Sequence, residues 1–312
     1  MMVDSMQRDD PRGPAGKGGV LADARLLAAG AAGLAAAFLM LWSLRGLPGG
    51  MLALWMAALP LFLAGIGFGG VAVVGAVTVA SLALLLAGGG FAFGVFLLAF
   101  AGPVLLLVLS ARPGPGGLRL PFVLLGLIPA SGILVAAFVL ADAPGGLEGA
   151  LRRAAELGAA RMGVPVGEAM LASLVRVKAA AIGFWVMLSL LLNAAAAGGL
   201  LRRAGIIAAA PAWREARLPV WYPALPALAA LVWLLAEADA VPLSVTLALL
   251  VPLFLHGLAA FHRVTLPLRG RTLLLAIAYG ALLLMAVPVA LAATAFGLFD
   301  ILHGNRARPT VP

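Results

Sequence analysis

From Gly46 to Ala111 the chain runs 66 residues without an Asp, Glu, Lys, Arg or His. A helix needs roughly 20 apolar residues to cross the hydrocarbon core of a bilayer, so this run alone has the length of three crossings. Backbone N–H and C=O groups meet no water at that depth and must bond within their own segment, which favours helices. The expected fold class is therefore all-α, a polytopic α-helical membrane protein. Composition agrees: 64 % of residues are hydrophobic and 11 % charged, against roughly 25 % charged in soluble proteins.

The net charge of +9 does not point to nucleic acid. The basic residues are divided among short loops and form no stripe, and a basic excess in loops is what cytoplasmic membrane flanks carry. The chain has no cysteine, which excludes disulfides, thiolate metal sites and a thiol nucleophile.

The charged residues punctuate the apolar runs. Residues 1–24 mix charges with Gly and Pro and read as a disordered cytoplasmic tail. Spans fit Leu26–Leu44, Met51–Phe68, Val71–Ala87, Phe91–Leu109, Leu120–Leu140 and Ala179–Leu201, with Gly69–Gly70 and Gly88–Gly90 as turns. Together, residues 25–201 form a six-span bundle carrying an insert at 141–178. Residues 202–218 are a linker. Further spans fit Val220–Ala236, Val241–Phe261 and Thr272–Phe299 within a C-terminal membrane region, 219–300, before a tail at 301–312. The last run, 28 residues long, is too long for one upright crossing and too short for two. Pro288 near its middle marks either a kink or a reversal. The count is about nine spans, with eight and ten as alternatives.

Lys and Arg near span ends set the orientation. With nine spans, 13 basic residues fall on the side of the N-terminus and the Arg202–Leu218 linker, and 8 on the other. The first side is expected to be cytoplasmic. The basic C-terminus, with Arg306 and Arg308, sits poorly with nine spans and well with ten.

The insert holds an amphipathic stretch. Leu147, Leu151, Ala154 and Met162 share one helical face and Glu148, Arg152, Arg153 and Glu156 the other. It reads either as a helix resting on the bilayer surface or as a lid or partner-binding element. A second amphipathic piece, Val166–Val177, leads into the sixth span.

Chemistry-bearing residues within the spans are few. No carboxylate falls inside any of them; the nearest are Glu237 and Asp239 in a turn and Asp300 at a span end. Proton-driven pumps and many ion-coupled transporters use intramembrane acids, so a transporter here would draw its energy from a partner. No aspartate pair, HExxH or GxSxG motif is present. The chain therefore points away from an enzyme, and no cofactor or metal is implied. The Asn193 amide must pair inside the membrane, with another helix or with a ligand. His256 has the same alternatives: a helix–helix hydrogen bond, a solute or proton, or a pairing with Asn193. His262, six residues on, lies about 240° around the helix and is placed at the interface beside Arg263. Thr78, Ser81, Ser131 and Ser189 are expected to bond their own helix backbones.

Alanines recur at Ala28, Ala32 and Ala36 in the first span. Rows of small residues let helices approach closely, within the chain or against a partner's helix. Pro60, Pro103, Pro129, Pro226, Pro252 and Pro288 interrupt other spans, as in helices that line transporter cavities, although proline is also tolerated in membrane helices.

Four segments of the second half resemble the YybS-like bacterial inner-membrane proteins, a family known as a domain of unknown function. These are the Asn-Ala run ending in Arg202-Arg203, the segment Arg214-Glu-Ala-Arg-Leu-Pro219, Phe254-Leu-His-Gly-Leu-Ala-Ala-Phe-His262, and Phe296-Gly-Leu-Phe-Asp-Ile-Leu-His-Gly-Asn-Arg306. The first six spans of that family are similar to the substrate-binding subunits of energy-coupling-factor vitamin transporters, which dock on a membrane partner through an alanine row. The resemblance implies a bacterial inner-membrane location and that docking role for Ala28, Ala32 and Ala36. The region from about Val220 is additional to such subunits.

Two functions follow. One is a component that binds or transports a small solute and borrows energy from a partner, with a pocket on the non-cytoplasmic side under Leu147–Met162. The other is a non-transporting scaffold or assembly factor. A polar cavity holding Asn193 or His256 would mark the first, and an apolar close-packed interior the second.

Overall fold

The structure, a computed structural model, describes residues 23–112, 116–163, 167–211, 213–236 and 239–304, and no strand occurs among them. The expected disordered tail lies almost wholly outside the described residues, as do Glu237, Arg306, Arg308 and most of the 301–312 tail. Among the described residues, seven helical segments are long and apolar enough to cross a membrane, and two further apolar helices are shorter.

Helix α1 (Ala24–Leu44) starts where the Asp23 side chain accepts a hydrogen bond from the Arg25 N–H. Its buried stripe is Ala29, Gly33, Ala36, Ala37 and Met40. The next crossing is broken into α2 (Gly50–Met56) and α3 (Leu59–Phe68). Gly69, at φ +89°, turns the chain into α4 (Gly70–Phe96). A side chain would be strained at that φ. Helix α4 bends at Gly89 (φ +76°) and runs through a π-turn, Leu97–Ala101, into α5 (Gly102–Ser110).

This 41-residue stretch is not one rod. A Cβ at Gly70 would lie 3.1 Å from the Leu109 side chain, whereas a straight helix would hold residues 39 positions apart by about 58 Å. The chain therefore doubles back at Gly89, within the expected Gly88–Gly90 turn. Helix α1 lies against the first arm of this hairpin in near backbone contact. A Cβ at Gly75 would approach that of Ala29 to 2.9 Å.

Helix α6 (Arg119–Val139) precedes the insert helix α7 (Gly146–Met162). The 36-residue α8 (Glu168–Arg203) joins the second amphipathic piece and the sixth span into one helix. Its length, about 54 Å, exceeds the hydrocarbon core of about 30 Å, so its N-terminal turns extend to meet α7. Helix α7 packs near its N-terminal half: Leu147 and Leu151 are half-buried, Ala154 is exposed, and the Met162 side chain lies outside the described residues. The apolar face that packs is thus shorter than its sequence pattern, and it meets α8 through Leu147 and Leu151.

Helix α9 spans only Ala224–Leu235, short of the full crossing expected over Val220–Ala236. Pro219 and Pro223 supply no backbone donor, and the segment between them forms a turn closed by the Tyr222 N–H to the Pro219 carbonyl. Helix α10 (Ala240–Val264) begins at the Asp239 cap. The final run is two helices, α11 (Arg271–Leu284) and α12 (Ala286–Gly304), parted at Met285. Ala278 and Tyr279 share one cavity with Ala292 and Phe296, residues that a continuous helix would separate by roughly 20–27 Å. The run therefore reverses, three residues before Pro288. This shifts the last helix toward the C-terminus, so Asp300 falls inside it rather than at a span end. The expectation that no carboxylate falls inside a span is corrected there.

One core runs through the molecule from Ala36 and Met40 of α1, through Phe62, Leu84, Phe96 and Leu190, to Leu253 and Ile301. The outward surface carries Leu86, Phe91, Phe138 and Leu283, each more than three-quarters exposed. A bilayer covers such a surface.

Candidate functional site

Two separate clusters of buried polar groups join different parts of the chain, with cavities around α8, whereas the buried Thr246 and Thr265 hydroxyls bond carbonyls one turn back. Asn193 is 7 % exposed. Its Nδ2 donates to the Trp55 carbonyl at 2.6 Å and to the Ser189 carbonyl at 2.7 Å. The Ser189 hydroxyl donates to the same Trp55 carbonyl at 3.0 Å. Trp55 stands in the last turn of α2, beside the break before α3. Carbonyls at a helix end have no intrahelical partner, and none can be left bare in hydrocarbon. Asn193 and Ser189 close that gap. Ser189 was expected to bond its own helix and instead reaches across to α2. Thr78 and Ser131 do bond their own helices, and the buried Ser81 hydroxyl has no partner.

His256, 1 % exposed, does not meet Asn193. Its Nε2 lies 2.9 Å from Asp300 Oδ2, and the Leu218 N–H points at its Nδ1 at 3.5 Å. A backbone N–H can only donate, so Nδ1 accepts and Nε2 carries the proton given to Asp300. Arg263 donates to the same carboxylate oxygen at 2.7 Å. These bonds join the linker, α10 and α12. The close crossing of α10 and α12 depends on Gly257 and Gly297, because a Cβ on either would strike the other helix's backbone. His262 faces elsewhere: its Nε2 is 2.7 Å from the Tyr279 hydroxyl, and Arg271 approaches its Nδ1 at 3.5 Å. Asp300 and Arg263 carry this cluster and were missed as site residues. The only hint was the Asp in the closing segment.

Among the described residues, cavities at three places touch α8. An apolar one of about 260 Å³ lies between α6, α8 and the π-turn, lined by Leu98, Ile128, Gly132, Ile133, Gly183 and Met187. Leu147 and Leu151 of α7 form its remaining wall. A second, of about 350 Å³, lies beyond the shared Val186 and is lined by Trp55, Phe100, Trp185 and the Ser189 hydroxyl. The third, of about 560 Å³, is polar and is walled by Glu148, Ser173, Arg176 and Asp239. All three are clefts open at the surface of the bundle rather than enclosed chambers, and the second and third exceed the roughly 300 Å³ expected of a ligand site. Neither Asn193 nor His256 lines any of these three. Arg152 is paired with Glu168 at 2.6 Å, and Arg153 donates to the Pro144 carbonyl. Donation of a hydrogen bond to the Glu168 carboxylate, together with that group's charge, pushes the Arg152 guanidinium pKa further up.

The alanine row faces inward: Ala36 is fully buried, Ala32 packs partly buried against the core, and Ala28 is half-buried. On the same helix Ala31, Leu34, Ala35 and Phe38 face outward.

Comparison of the chain with protein-family models, with curated proteins and with solved structures finds no match.

Proposed function

We propose that this chain is a multi-pass protein of the bacterial inner membrane that binds a lipophilic solute beneath α7 and relies on a partner for energy if the solute is moved. The observation that carries this reading is the apolar cavity bounded by Leu147 and Leu151 of an otherwise charged helix. Its lining offers almost no hydrogen-bonding group, which favours an apolar ligand body over a polar vitamin-like solute. We place the chain with the YybS-like proteins on its four matching segments, read it as non-enzymatic, and count ten crossings with α9 and α11 included. Ten crossings put the N-terminus, the linker and the C-terminus on the cytoplasmic side, with 15 of the 21 Lys and Arg residues. The meeting of Leu218, Arg263 and Asp300 at one end supports this, as does that of Glu148, Arg176 and Asp239 at the other. The scaffold reading keeps two arguments: neither Asn193 nor His256 lines the three cavities, and the small-residue contact of α1 with α4 needs no ligand. A docking partner would meet the outward Ala31–Ala35 face of α1.

Gly132→Leu separates the two. Gly132 lines the cavity, and a Cβ there meets nothing within 4 Å. The substitution should leave the melting temperature unchanged or raised, since it fills space without backbone conflict, and should abolish retention of co-purifying lipophilic molecules measured by mass spectrometry. Undiminished retention would favour the scaffold.

A further inference from the structure

The polar and apolar cavities are continuous in register along α8. Ala172 and Arg176 wall the polar one, and Ala179, Gly183 and Val186 wall the apolar one. Their spacing of four, three, four and three residues is one helical stripe. On α7 the adjacent residues Leu147 and Glu148 face the apolar and the polar cavity respectively. From residue 172 to residue 186 the stripe covers about 21 Å, the scale of an acyl chain and its headgroup. The cavities thus match one amphiphile, with its charged end among Glu148, Asp239 and Arg176 and its hydrocarbon against Gly183. Exposed Leu98 and Ile182 at the apolar cavity leave it open on the bilayer side, where a second chain can remain in lipid.

Among the described residues that line it, the polar end holds two carboxylates and one guanidinium. An anionic headgroup would face a net negative site. A zwitterionic head would place its ammonium between Glu148 and Asp239 and its phosphate at Arg176, with charge-assisted hydrogen bonds to both. We infer that the cavity pair is a binding site for a phospholipid with a primary-ammonium headgroup, phosphatidylethanolamine, held on the face of the protein that carries the 141–178 insert. This rests on the lipophilic-ligand reading above.

The test uses the full chain in nanodiscs containing equal phosphatidylethanolamine and phosphatidylglycerol, followed by transfer to mild detergent and mass spectrometry of the retained lipid. The ethanolamine lipid should be enriched at least threefold over phosphatidylglycerol. The double variant Glu148→Gln, Asp239→Asn should retain lipid but lose that preference. Both residues are exposed, and asparagine caps α10 as well as aspartate does, so folding should not confuse the result. Gly132→Leu should remove retained lipid of both kinds. Retention without preference, with preference for phosphatidylglycerol, or with a preference that survives the double variant would overturn the headgroup assignment and leave the lipophilic cavity standing. No retained lipid, or retention that ignores Gly132→Leu, would overturn both.

Discussion

The Asn193 and His256 clusters solve the same problem in different ways. Asn193 is a neutral amide in the middle of α8, and its work is local: it and Ser189 satisfy the carbonyl of Trp55 beside a helix break. The His256 cluster holds formal charges, Asp300 and Arg263, near the end of α10, and ties three segments distant in sequence. An amide can be accommodated deep in a membrane because its partners need only be backbone oxygens. A carboxylate there needs a cation, and Arg263 reaches it only because α12 returns beside α10. Neutral polar groups therefore repair helices, whereas the charged group is confined to a place where chain segments converge.

Removing charge from the second cluster should have the largest effect. Asp300→Leu leaves Arg263 and His256 without their shared acceptor, and the cost should lie near the low end of the 3–5 kcal/mol typical of breaking a buried pair, about 3 kcal/mol. The carboxylate side chain is 31 % exposed, which places the value at that end. The loss should appear as a lower melting temperature in detergent and faster proteolysis of the 205–218 linker. An unchanged melting temperature would show that the pair holds nothing together. Gly297→Val tests the crossing beside the same cluster, and the new side chain must push α12 off the Leu253 carbonyl. Overpacking of this kind costs about 1–3 kcal/mol. Gly280→Val serves as control, because a Cβ at Gly280 meets nothing within 4 Å; equal losses in the two would contradict the close crossing. Asn193→Leu should cost about 0.6–2 kcal/mol, the range for interhelical hydrogen bonds in membranes. It should also speed hydrogen exchange around the α2–α3 break. If Asn193→Leu melts at lower temperature than Asp300→Leu, the division between local repair and long-range tie is the wrong one.

Much of the architecture was legible because membrane crossing is set by local, additive quantities. Apolar length placed the helices, and glycines in the uncharged run marked the reversals at Gly69 and Gly89. The need to pair an amide placed Asn193 away from lipid. Proline spacing also carries information: Pro219 and Pro223 shorten α9. Hydropathy could not say which face of an apolar helix turns inward, because lipid is as apolar as the protein interior. Only the packing of Gly33 and Gly75 turned the Ala28–Ala32–Ala36 row toward α4. Likewise only the reversal at Met285 brought Asp300 to His256, 44 residues away in sequence, and only the packing of α7 against α8 and α6 left a cavity beneath Leu147. The sequence by itself determined that this chain is helical and belongs in a membrane, since free energy of transfer and backbone hydrogen bonding are counted residue by residue. Partners, cavities and the clustering of charge were decided by tertiary structure, since they depend on which helix lies next to which, and a uniformly apolar surface does not encode that order.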